Sequence, residues 1–128
     1  MDFRVGDDVK LTIPLVLRVD EYGVTHVFSL SEVDTDDSSV ETFVFTLPPF
    51  HRIHKIIMDA TISVNGSPPV VSEQLLNELI VEQLLVDWSL TDNEGQKLPV
   101  TWDTIKVLPY QLITKLAKEF RRIVFTVE

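Results

Sequence analysis

Residues 9–19, VKLTIPLVLRV, carry the clearest strand pattern in the chain. Apolar side chains recur at every second position, which is typical of a strand with one covered face. They are Val9, Leu11, Ile13, Leu15, Leu17 and Val19. Pro14 lies within this run and has no backbone N–H to give to a ladder. The pattern therefore predicts a strand that lies at a sheet edge or contains a bulge.

The residues that follow continue the sheet pattern. A short turn and a second alternating run predict a hairpin; that run contains Val24, His26, Phe28 and Leu30. Residues 41–47, ETFVFTL, predict a third strand, which ends at Pro48-Pro49 because neither proline has a backbone N–H. Between these runs, residues 31–40 have no periodicity and predict a mobile loop. We therefore expect antiparallel strands over about residues 9–47.

The C-terminal half has helical periodicity instead. Ser72 is a suitable N-cap for a helix that begins at Glu73, and Thr101 can cap a short helical turn over residues 102–107. Pro109 then opens the clearest helix, since the first turn of a helix tolerates proline. Its apolar positions recur at steps of three and four and are Leu112, Ile113, Leu116, Ala117, Phe120, Ile123 and Val124.

Two segments leave helix and strand both open. Residues 50–64 are rich in β-branched side chains that suit a strand, although an amphipathic helix is favoured. The apolar face of that helix would consist of Phe50, Ile53, Ile57 and Thr61. Residues 84–91 change from a helical to an alternating pattern, which indicates that a helix gives way to a strand there.

These patterns together predict an α+β fold in one domain, residues 1–128. The N-terminal antiparallel strands, about 9–47, precede a mainly helical half with a hairpin-like turn at 91–97. The clearest break in the chain is the sequence NGSPP, which predicts a boundary between two subregions at 65–70.

Composition limits the possible functions. The chain has 128 residues, no cysteine and a formal net charge of −9. Without cysteine there is no disulfide framework and no thiolate metal site, and the negative charge argues against nucleic-acid binding. The acidic start, MDFRVGDDVK, lacks the basic region of a signal peptide, and no uncharged apolar run reaches the length of about 18 residues that spans a membrane. We expect a cytosolic protein that binds neither nucleic acid nor membrane.

Patterns for catalysis or metal binding are incomplete. His51 and His54 can share one helical face, but basic neighbours disfavour a metal there. A calcium loop beginning at Asp34 would need a glycine and a carboxylate where Ser39 and Phe45 stand. Neither a nucleophile elbow nor a phosphate loop occurs in the sequence. We therefore expect a non-enzymatic protein without a cofactor or metal.

Two surfaces are candidates for partner binding. The basic stretch 115–122, KLAKEFRR, is either a solvated helix face or a site for an acidic partner. That partner can also be the acidic stretch 32–41 of a neighbouring copy, which would make the chain a homo-oligomer. The apolar face of the helix after Ser72 either fills the core or lies against a partner helix. The candidate residues are Leu75, Leu76, Leu79, Ile80, Lys115, Lys118, Arg121 and Arg122.

Residues 84–101, LLVDWSLTDNEGQKLPVT, contain a polar turn next to a tryptophan. Gly95 is free to take the positive φ that such a turn requires, and we expect Trp88 and Leu98 to meet across it. The order of these residues, followed by Leu108-Pro109 and an amphipathic helix, resembles the C-terminal half of small tailed-phage proteins known as tail assembly chaperones. The positions that carry the resemblance are Trp88, Asp92, Gly95, Pro99, Thr101, Leu108 and Pro109.

The resemblance implies a non-enzymatic protein that acts in the host cytoplasm on tape-measure or tail-tube subunits during phage tail assembly. It implies no catalytic residue and no named contact residue. The alternative is a structural virion protein, such as a tail-tube, connector or tail-tip component. In that alternative the edge-like strand 9–19 would pair with a neighbouring subunit.

Overall fold

The computed structural model describes residues 2–4, 6, 9–33 and 39–125. It is an α+β structure, as predicted, with an antiparallel sheet in the N-terminal half and helices in the C-terminal half. The strands are β1 (Lys10–Val19), β2 (Thr25–Ser29), β3 (Val40–Thr46), β4 (Thr61–Ile62), β5 (Val70–Val71) and β6 (Leu85–Trp88). The helices are α1 (Phe50–Asp59), α2 (Glu73–Leu84), α3 (Trp102–Ile105) and α4 (Tyr110–Val124), and a single 3-10 turn spans Leu30–Glu32.

The main sheet has four strands in the order β2-β1-β3-β6, and all its pairs are antiparallel. A separate two-stranded ribbon consists of β4 and β5. Residues 63–69 connect its two strands and include most of the predicted boundary at 65–70. Of the predicted loop over 31–40, residues 34–38 lie outside the described residues.

The strand β1 lies between β2 and β3 in the strand order, but among the described residues it has ladder pairs on both sides only at residues 15 and 16. The predicted edge is therefore present at Pro14, and β2 covers that side from residue 15 onward. The strand β1 pairs with β3 over residues 10–16 and with β2 over residues 15–19. The N–H of Leu17 points towards β3, where it donates to the carbonyl of Ser39, and the odd-numbered residues of β1 share this direction. The nitrogen of Pro14 faces the opposite side, beyond the last β2 pair, where the missing donor costs no ladder bond.

One face of the sheet is covered by α2 and α4. The apolar positions predicted for β1 lie on this face, and Ile13 and Leu15 are fully or almost fully buried there. Burying a large apolar side chain stabilises a fold by roughly 1.5–3 kcal/mol. The core also contains Phe43, Phe45, Leu76, Ile80, Leu84, Leu112, Leu116 and Phe120. The period-two pattern of the strands and the 3.6-residue pattern of the helices therefore meet in one core.

The structure resolves both ambiguous segments. Residues 50–59 form the favoured helix, but the chain turns into the strand β4 after Ala60. The buried face of α1 contains Ile56, with Ala60 one turn later, whereas Phe50 is 81% exposed. The predicted apolar face was therefore misplaced by part of a turn. In the second segment, α2 ends at Leu84 and β6 begins at Leu85 with no loop between them, as the pattern indicated.

The hairpin-like turn at 91–97 is closed by a bridge between Thr91 and Lys97. The carboxylate of Asp92 accepts hydrogen bonds from the backbone N–H groups of Glu94 and Gln96 at 2.8 and 3.0 Å. Gly95 has the expected positive φ of +81°. A residue with a side chain would be strained in this backbone conformation. The turn is therefore built by one aspartate and one glycine.

Trp88 joins this turn to the core. Its side chain is 2% exposed, and its indole Nε1–H donates to the carbonyl oxygen of Leu98 at 2.8 Å. Leu98 is itself packed against the core. The predicted meeting of these two residues is confirmed, and the hydrogen bond between them fixes where the chain leaves the sheet for α3.

Replacing Trp88 by phenylalanine tests this connection. Trp88→Phe keeps an aromatic ring but leaves the Leu98 carbonyl without its donor, so we expect the free energy of unfolding to fall by about 1 kcal/mol. Trp88→Ala should cost about 3–5 kcal/mol because it also opens a cavity. Urea unfolding followed by far-UV circular dichroism measures both. Trp102→Phe, at a half-exposed tryptophan, is the control and should change stability by less than about 0.5 kcal/mol.

Candidate functional site

An apolar groove lies on the outer side of the helices, between α2, α3 and the start of α4. Its volume is about 330 Å³. The apolar and aromatic side chains that line it are Val81, Trp102, Ile105, Leu108, Tyr110 and Ile113, and the polar ones are Gln74, Asn77, Glu78, Lys106 and Thr114. The size and lining are those of a binding cleft.

Two capping features place the aromatic walls of the groove. Thr101 is the N-cap of α3, and its side chain accepts a hydrogen bond from the backbone N–H of Thr104, so Trp102 is the first residue of that helix. Pro109 precedes α4 and makes Tyr110 the first residue of that helix. Both rings therefore belong to the first residue of a helix, and they lie outside the core that faces the sheet.

Both aromatic side chains remain accessible to solvent. Trp102 is 43% exposed and Tyr110 is 68% exposed, and Val107 between them in sequence is 74% exposed. Large aromatic side chains contribute most of the energy in many protein interfaces, and neighbouring apolar side chains that stay exposed mark interaction surfaces.

Asn77 is the unusual residue of the groove. It projects from α2 next to core residues and is only 7% exposed, yet its side-chain oxygen has no hydrogen-bond partner among the described residues. An unpaired buried amide costs roughly 1–3 kcal/mol. Its burial without a partner therefore lowers the stability of the chain.

The charges around the groove are unequal on its two walls. Glu78 lies on the α2 wall, with Glu82 one turn further along, and neither has an ion-pair partner among the described residues. Lys106 is already paired with Asp103 at 3.0 Å. On α4, Lys118 follows Thr114 by one turn and is exposed.

The predicted apolar partner surface on α2 belongs to the interior. Leu76 is 6% exposed and Ile80 is completely buried, both within the core, while Leu75 and Leu79 are partly buried and packed against that core. The face was expected either to fill the core or to lie against a partner helix, and in the structure it fills the chain's own core. The groove uses the next positions round the helix, beginning with Asn77.

Three of the four predicted basic residues form ion pairs within the chain. Lys115 bonds Glu32, which lies in the acidic stretch 32–41 of the same molecule, and Arg121 reaches Glu73 at 3.0 Å. The third is Arg122, which bonds Glu119 at 2.8 Å. In the part of the chain that the structure describes, Lys118 alone of these four has no such contact. The structure does not bring the eight predicted residues together in one surface.

Sequence reasoning missed Asn77, Trp102 and Tyr110. The available signals were two large aromatic residues directly after predicted helix starts. Asn77 carries no such signal, because no local pattern indicates that α3 and α4 pack beside it.

Other kinds of site receive no support from the described residues. No group of three acidic or histidine side chains is arranged there to hold a metal ion. In the described helices, none has both the length and the apolar character needed to cross a bilayer. Comparison with family models, with curated proteins and with solved structures gives no match. The structure itself shows an α+β fold with an apolar groove on the outer side of its helices.

Replacing Asn77 tests whether its amide is unpaired. Asn77→Leu keeps a similar volume and removes the buried polar group, so we expect the free energy of unfolding to rise by about 1 kcal/mol. Asn77→Asp is the matched control and should lower it, because a buried carboxylate must be desolvated. Urea denaturation of wild type and the two variants measures the order of their free energies of unfolding. A loss of stability in Asn77→Leu would show that the amide has a stabilising partner.

The Glu32–Lys115 pair predicts a pH dependence. The Lys115 ammonium group, together with the backbone N–H and hydroxyl of Ser29, lowers the pKa of Glu32 from 4.5 to about 2. A lowered folded-state pKa adds stability that is complete above 4.5 and is lost as the pH falls towards about 2. We therefore expect Glu32→Gln to lower the urea midpoint at neutral pH and to have progressively less effect below 4.5.

NMR titration of the Glu32 carboxyl carbon checks the origin of this shift. In Lys115→Met the pKa of Glu32 should return towards its ordinary range. Lys118→Met removes a lysine from the same helix that makes no such contact, and it should leave the titration unchanged. A Glu32 that titrates alike in all three proteins would contradict the ion pair.

Proposed function

We propose that this chain is a non-enzymatic tail assembly chaperone that covers an apolar segment of a tape-measure or tail-tube subunit in the host cytoplasm. The observation that supports a binding role is the open apolar groove, whose rim residues Trp102 and Tyr110 are exposed. The assignment to phage tails rests on the resemblance in residues 84–109 and on no other observation.

The physical task in this proposal is to keep an apolar segment from aggregating before the tail polymerises. A groove that buries part of the segment removes apolar surface from water. The net charge of −9 then keeps the complex soluble through repulsion between copies. Neither step requires chemistry on the partner, which agrees with a binding protein.

A structural virion protein is the second candidate, and one observation favours it. The β4–β5 ribbon exposes several apolar side chains, a feature typical of surfaces that assembly covers; they are Ile62, Val64, Val70 and Val71. The strand 9–19, however, already has neighbours on both sides over residues 15 and 16. The outer strands of the described sheet are β2, with five residues, and β6, with four.

Co-expression with the tape-measure and tail-tube genes of the same genome tests the chaperone proposal. We expect the chain to co-purify with one of them and to increase its soluble fraction, because the groove covers apolar surface. An unrelated acidic protein of similar size is the control for charge alone. Failure to co-purify with either subunit, with no gain in solubility, would count against the proposal.

Mass spectrometry of purified particles separates the two candidates. A chaperone leaves the tail when assembly ends and should be absent from mature particles. Its presence there at the copy number of a tail component would favour the structural alternative.

A further inference from the structure

We propose that the groove between α2, α3 and α4 binds an amphipathic helix of a partner protein, with lysine or arginine of that helix beside Glu78 and Glu82. The inference rests on the proposed binding role and identifies its site and the chemistry of its partner. It does not depend on the partner being a phage protein.

The exposed rim favours a helix over a small molecule. A compact ligand on the groove floor would touch Ile105 and Ile113 but would leave most of Tyr110 in water, since this residue is 68% exposed. A helix lying along the groove covers floor and rim together. Its side chains at every third and fourth position form the continuous apolar stripe that such a surface requires.

The charges select a helix with a basic flank. Glu78 lines the groove, and the exposed Glu82 follows it by one turn of α2 beyond the lining residues. The one basic residue that lines the groove, Lys106, is paired with Asp103. Lysine or arginine on the partner would lie opposite the two free carboxylates. Lys118, one turn beyond Thr114 on the other wall, would face an acidic or polar position. Such complementarity fixes the orientation of the bound helix.

A second copy of this chain is a poorer occupant of the groove. Each copy carries a net charge of −9, so two copies repel each other. On α4, three of the four basic residues are already paired within the chain. The acidic wall would therefore find few free cations on another copy.

Titration calorimetry with two synthetic helical peptides tests the proposal. Both carry the same leucine and isoleucine stripe; one is flanked by lysine and the other by glutamate. We expect the lysine-flanked peptide to bind the full chain more tightly. Tyr110→Ala and Trp102→Ala should weaken this binding by about tenfold or more. Tyr22→Ala is the matched control, because Tyr22 is 82% exposed but lies in the turn between β1 and β2.

Charge reversal tests the acidic wall. Glu78→Lys should lower the affinity for the lysine-flanked peptide and raise the affinity for the glutamate-flanked peptide, each by about threefold. The matched control is Glu21→Lys, which makes the same charge change in the β1–β2 turn and should leave the preference unchanged. An equal effect of the two substitutions would show that net charge, and not the groove, attracts the peptide.

Three results would overturn the proposal. The first is that neither peptide binds. The second is that both peptides bind and that Tyr110→Ala binds them as tightly as Tyr22→Ala does. The third is that sedimentation shows self-association that Trp102→Ala abolishes, which would make a second copy the occupant of the groove.

Failure of the groove proposal can be distinguished from failure of the proposed function. If a tail subunit co-purifies equally with wild type and Tyr110→Ala, the chaperone function is supported but the groove is not its binding site. If the peptides bind as expected but no tail subunit co-purifies, the groove is supported as a binding site and the assignment to phage tails is rejected.

Discussion

The contact between Phe45 of the sheet and Phe120 of α4 is the interaction on which the rest of the structure depends. Their ring centroids are 4.8 Å apart and both side chains are fully buried. A sheet with one apolar face needs a cover, and this pair places α4 across it. The ion pair between Glu73 and Arg121 then sets the start of α2 beside the end of α4, and the two helices complete the cover.

The groove is a consequence of this arrangement. Because α2 and α4 turn their most apolar faces to the sheet, the flank of each helix remains outside. The segment 89–109, which connects β6 to α4 and contains α3, lies beside these flanks. Trp88 fixes the start of that segment through its hydrogen bond to Leu98, and Thr101 and Pro109 set the helix starts beyond it. The same features that close the core thus leave Trp102 and Tyr110 at the surface.

Much of the fold was predictable from local patterns, and the site was not. Alternation identified β1 and the cap at Ser72 identified α2, because both signals lie within a few residues. Pro14 indicated an unpaired edge, but not that β2 covers the same side of β1 from Leu15 onward, because that depends on non-local pairing. Asn77 gave no signal, because a polar residue near an apolar helix face is normally solvated, and its burial depends on the position of α3 and α4. The groove is formed by three segments that no local pattern brings together.

The central claim is that binding occurs in the groove while the core stays unchanged, and the two indole N–H resonances of the chain test it most directly. The sequence contains two tryptophans: Trp102 lines the groove, and Trp88 is buried and bonded to Leu98. On titration with the lysine-flanked peptide, a two-dimensional NMR spectrum should show the Trp102 signal moving and the Trp88 signal remaining in place. A stationary Trp102 signal, or equal movement of both, would contradict the claim.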